Sequence, residues 1–92
     1  MKFMTTWKAL PGARKEAVER FLAGQGVPPE GVTVLERWHN TDCSGGYTLT
    51  ESSNPQALFE SAARWADLLE FHSHLVVEDA EAGPVLVKMA KK

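Results

Sequence analysis

A chain of 92 residues has room for one domain, and its formal net charge of −2 excludes the strong positive field of a nucleic-acid binder. Cys43 is the only cysteine, so no disulfide can form within the chain, and residues 1–8 hold no apolar run of signal-peptide length. No stretch approaches a membrane span, and only Lys88, Lys91 and Lys92 cluster without interleaved acids, so a cytoplasmic protein with no membrane partner is expected.

In chain order, residues 3–8 alternate Phe3, Thr5, Trp7 against Met4, Thr6, Lys8, which predicts a strand. Pro11 and Gly12 break it. Residues 13–23 then place Ala17, Val18, Phe21 and Leu22 on one helical stripe, with Glu16 and Arg20 paired four apart on the other side. Gly24 and Gly26 stop that helix, and Pro28, Pro29 and Gly31 make a stiff connector. Residues 32–39 read as a second strand, split into Val32, Val34, Glu36, Trp38 and Thr33, Leu35, Arg37, His39. The turn-rich stretch 40–46 joins it as a hairpin to a third strand, residues 47–51.

A capping signal, Ser53-Asn54-Pro55-Gln56, opens a second helix over residues 56–69, with Leu58, Ala62, Trp65 and Leu69 at helical spacing. Residues 71–78 give a fourth strand. After it, Pro84 should stand near the start of any final helix, although Val85, Val87 and Met89 also suit an edge strand. The order β-α-β-β-α-β specifies an α+β, ferredoxin-like sandwich: a four-stranded antiparallel sheet with two helices on one face, plus a short C-terminal segment. The uncovered sheet face predicts a homodimer, because a chain this short hides only about 60% of its unfolded surface and a lone copy is marginal.

Polar chemistry concentrates at strand and helix ends. Arg37 and His39 alternate onto one face of the second strand, where a planar cation and an imidazole could together hold an anionic or carbonyl group. The bland alternative pairs Arg37 with Glu36 or Glu51 on an exposed hairpin. Trp65 either fills the helix–sheet layer or borders a pocket. His72 and His74, two apart on the fourth strand, could present two imidazoles to a metal with His39 as a third, but no carboxylate stands at ligand spacing, so no metal is expected. Cys43, beside Asp42 in a turn, lacks the positive surroundings a reactive thiolate needs. Gly24-Gln25-Gly26 follows a helix instead of opening one and lacks a third glycine, the wrong context for a dinucleotide loop.

Several segments carry a family resemblance: Lys2-Phe3-Met4-Thr5-Thr6-Trp7, Phe21-Leu22, Pro28-Pro29-Glu30-Gly31-Val32, Arg37-Trp38-His39, Gly45-Gly46 and Trp65-Ala66-Asp67-Leu68-Leu69-Glu70-Phe71. Together they resemble a group of small bacterial proteins, the domain-of-unknown-function family 3303, over almost the whole chain. The resemblance implies the dimeric α/β-barrel superfamily, in which two sheets close into one barrel. Haem-degrading members of that superfamily have an Asn on the first strand where this chain offers Thr5 and Thr6, so no cofactor is expected.

The resulting expectation is a small-molecule binding module for an apolar or aromatic ligand. Its cleft would lie between the sheet and the second helix, rimmed by Arg37, His39, Trp65 and His74. A metal-free oxygenase or isomerase, with His39 as general acid/base and Arg37 stabilising negative charge on an oxygen, is the alternative. A dimerisation domain without a ligand is the third reading.

Overall fold

A computed structural model describes residues 1–91; Lys92, the last of the clustered lysines, lies outside the described residues. Strands β1 (Lys2–Ala9), β2 (Thr33–His39), β3 (Gly45–Glu51) and β4 (Leu69–Val76) form one sheet in the order β2-β3-β1-β4, with every neighbouring pair antiparallel. Helices α1 (Arg14–Arg20) and α2 (Pro55–Ala63) make the two crossovers, and a third helix, α3 (Asp79–Ala90), follows β4. This is the ferredoxin-like α+β arrangement that the element order specifies.

Local chemistry sets the element ends. α1 runs on through a π-type turn, Phe21–Gln25, and stops where Gly24 takes φ +89°, a left-handed backbone that glycine adopts without a Cβ penalty. At α2 the capping residue is Asn54, directly before the proline: its side-chain oxygen accepts from the Gln56 N–H at 3.0 Å, with Pro55 at the first helical position. Ser52 ties this start to the preceding connector, accepting from the Asn54 N–H and donating to the Gly31 carbonyl at 2.7 Å.

Several boundaries differ from the sequence expectation, β3 beginning two residues early at Gly45 among them. α2 ends at Ala63, and residues 64–68 are turns; the apolar spacing continues past the helix because Trp65, in the turn, and Leu69, the first residue of β4, both line the layer between helices and sheet. β4 begins and ends two residues early because it is cut to the length of β1, from Ala9↔Leu69 to Lys2↔Val76. α3 begins five residues before Pro84, where Glu78 and Glu81 form a reciprocal capping box. Pro84 therefore sits inside the helix, and the edge-strand alternative for this segment does not occur.

The layer between sheet and helices is thinly filled. Buried hydrophobic residues are Ala17, Val32, Ala57 and Leu68, and among the described residues no large side chain is fully buried. The chain is also elongated. Its radius of gyration is 15.8 Å, against roughly 12 Å for a compact domain of this length. On α3, Val85, Leu86, Val87 and Met89 are all more than half exposed. No helix among the described residues is long and apolar enough to cross a membrane.

Candidate functional site

One extra residue in β2 decides what the helix-covered face carries. The β2–β3 register runs Val34↔Thr50, then Glu36↔Leu49 and Arg37↔Thr48, leaving Leu35 as a bulge. Strict alternation would group Arg37 and His39 with Thr33 and Leu35, opposite Val34. The bulge breaks that grouping. Arg37 and His39 instead join Val32 and Val34 on the face beneath the helices, while Glu36 and Trp38 look out from the open face.

Between that face and the helices lies a cavity of about 280 Å³, partly open to solvent. Trp7, Thr48, Leu69 and Phe71 come to it from the sheet, Phe21 from the turn after α1, and Leu58 and Ala62 from α2. Gly46 makes room for the Trp7 indole, since a Cβ there would lie 2.6 Å from its ring. The indole N–H donates to the Thr48 hydroxyl at 3.1 Å, so the ring is held by a satisfied polar handle.

Arg37 is half-buried. Its Nη2 donates to the Gly26 carbonyl at 3.3 Å, and its guanidinium carbon lies 5.1 Å from the Phe21 ring centroid. Among the described residues no carboxylate lies within ion-pair distance of it. The pairing with Glu36 or Glu51 does not form, because both acids belong to the open face. His39, more exposed, stands edge-on to Trp7 at 5.2 Å and to Phe21 at 6.0 Å between ring centroids. Arg37 and His39 thus share one aromatic cluster at the cavity wall.

Trp65 borders the cavity too, from the turn after α2 and not from a helix; it is half-buried. Arg20 of α1 lies over its ring at 5.4 Å and donates to both Asp67 oxygens, at 3.0 and 2.9 Å, and to the Arg64 carbonyl. The Asp67 carboxyl is held below its ordinary range by that hydrogen bond and charge, and the Arg20 guanidinium is correspondingly raised. This clamp fixes the turn carrying Trp65 against α1.

His74 is not part of the rim. It lies opposite Met4 on the open face, because β4 residues of its parity point away from the helices. His72 shares that open face and lies 3.0 Å from a Glu70 oxygen. With His39 on the other face the three imidazoles do not converge, and the described residues contain no group of three His, Cys, Asp or Glu that could hold a metal. Cys43 is exposed at the hairpin turn with φ 64°, at the cavity edge.

Arg14 also lines the cavity, although it is not among the candidates named from the sequence. The signal was present, since Arg14 stands three and four residues before Ala17 and Val18 on the stripe that faces the sheet.

No curated protein matches the chain. Its sheet order, crossovers and cavity belong to a sequence that matches one family from residue 1 to residue 90, and the chain is a member of that family, described as a domain of unknown function (DUF3303).

Proposed function

We propose that this protein binds a small, largely apolar or aromatic molecule in the cleft between its sheet and α1 and α2. The observation that carries this is the unfilled helix–sheet layer. In a chain that is 43% hydrophobic, Trp7, Phe21 and Phe71 line an open cavity where a packed core would ordinarily sit. Filling it with apolar atoms is worth about 0.8 kcal/mol per buried methylene, while Arg37, His39 and Trp65 at the wall would fix the ligand's orientation.

Native mass spectrometry of the protein as isolated, with a thermal-shift screen of aromatic molecules, tests the proposal. A retained small molecule or a ligand-dependent rise in Tm is expected. Neither would leave the ligand-free structural domain as the better reading. Because Arg37, with no carboxylate at ion-pair distance among the described residues, stands beside His39 on this wall, a metal-free oxygenase or isomerase is the second reading, and turnover of a bound compound would select it over a pure binder.

The proposal includes a homodimer. The accessible surface of one chain is 6745 Å², against roughly 5,300 Å² for a compact monomer of this mass. The excess of roughly 1,500 Å² exceeds the ~800 Å² that each partner contributes to a standard interface. Leu35, Trp38 and Tyr47 on the open sheet face, with the apolar side chains of α3, supply surface suited to a second copy. Sedimentation showing only monomer at micromolar concentration would remove the dimeric barrel.

A further inference from the structure

We infer that the molecule this cavity takes is an organic anion, a compact apolar or aromatic body carrying a carboxylate or similar group that seats on Arg37. The inference rests on the binding reading above and adds the charge of the ligand. Acidic residues outnumber basic ones in the chain, 12 against 10, yet Arg14, Arg37, Arg64 and His39 line the cavity and no Asp or Glu does. Arg64 is neutralised by Glu60 at 2.8 Å. Arg14, which feels the charge of Asp42 at the hairpin turn, and Arg37 have no carboxylate within 4.0 Å among the described residues. A molecule of net negative charge therefore holds a locally positive hollow.

Arg37 is the stronger of the two anchors. Its side chain is half-buried, Phe21 lies against the guanidinium, and among the described residues only one of its five donors is engaged, at the long distance of 3.3 Å. The remaining N–H groups form the planar fork that receives a carboxylate through two parallel bonds. A neutral ligand would cover this cation without compensating it, and a cationic one would be repelled. An anion resolves the desolvation cost. The cavity volume of about 280 Å³ falls just below the usual span of ligand sites, about 300 to 1,000 Å³. It suits one ring or a fused pair, with the apolar body against Trp7 and Phe71.

The test uses three probes of matched shape: 2-naphthoate, 2-naphthamide and 2-naphthylmethylammonium, titrated into the full chain by calorimetry at fixed ionic strength. Naphthoate should bind at least ten-fold more tightly than the amide, and the cation weakest. Arg37→Met should abolish the preference for naphthoate, with an unchanged far-ultraviolet circular-dichroism spectrum and cooperative thermal unfolding reporting that the variant is folded. Arg37→Lys, with its charge but not its fork, should retain part of the preference. Equal binding of naphthoate and amide would overturn the anion inference and leave the binding reading standing. A preference surviving Arg37→Met would overturn the assignment to Arg37. Failure of all three probes would remove the cavity as a site, and the inference with it.

Discussion

Gly46 makes the packing of Trp7 possible, and the cost of changing it can be anticipated. A Cβ there would fall 2.0 Å from the Trp38 carbonyl oxygen as well as against the Trp7 ring. Gly46→Ala should lose at least about 1–3 kcal/mol, the usual range for overpacking, read as a fall in the urea midpoint. An unchanged midpoint would mean that β3 lies farther from its neighbours than described. Trp65→Ala should cost less than the ~3–5 kcal/mol of a fully buried aromatic, about 1–2 kcal/mol, because its ring is half-exposed under Arg20. The Arg20–Asp67 contact gives a pH signature. Asp67 ionises below its ordinary 3.8 in the folded chain, so its contribution is complete above that value and is lost as pH falls through the lower folded value. Glu78, hydrogen-bonded to Lys2, follows the same sign. The gap in Tm between wild type and Asp67→Asn should therefore be widest above pH 3.8 and close on further acidification. Since the pair is solvent-exposed, high salt should shrink the gap as well. A gap that persists in strong acid would assign the effect of Asn to something other than the ion pair.

At the scale of elements, β2 shows how far a sequence pattern carries. Six of the seven elements are legible because period and punctuation agree. Pro11-Gly12, Pro28-Pro29 and the 40–46 turn separate runs whose apolar spacing is plainly two or plainly near four. The bulge at Leu35 is not legible, since no glycine or proline marks it and a leucine suits either face. That one residue moves Arg37 and His39 from the open face to the cavity, so the site was nameable as a cluster but not placeable. His74 was misplaced on the rim for a related reason: its face is set by the pairing of β4 with β1, which the local sequence does not contain. The end of α2 was hidden because helix and turn keep the same apolar stripe. Two variants separate bulge from register. Deleting Leu35 restores strict alternation with Val34, Arg37 and His39 still on one face, and should preserve folding and naphthoate binding. Inserting one residue between Glu36 and Arg37 turns both side chains outward and should abolish the anion preference without loss of circular-dichroism signal. Binding lost in the deletion and kept in the insertion would reverse the face assignment.

For the whole molecule, α3 is the element with least reason to exist in a lone copy. Its capping box is complete, yet Val85, Leu86, Val87 and Met89 remain 54–61% exposed. If the chain dimerises as proposed, ending it at Glu78 should leave the sheet intact and raise the dissociation constant of that dimer at least ten-fold, measured by sedimentation equilibrium. Unchanged self-association would place α3 outside the interface. The hollow layer has a calorimetric consequence. Unfolding heat capacity scales with the apolar surface newly exposed to water, and a dilute chain that already wets the inside of its own cavity has little left to expose. Its heat-capacity increment should fall below the roughly 1.1–1.4 kcal/mol/K typical of a chain this long, so its stability should vary only gently with temperature. If the proposed second copy and ligand both bind, raising protein concentration and then saturating the cavity should steepen that curve in two steps, each reporting apolar surface covered from outside the chain.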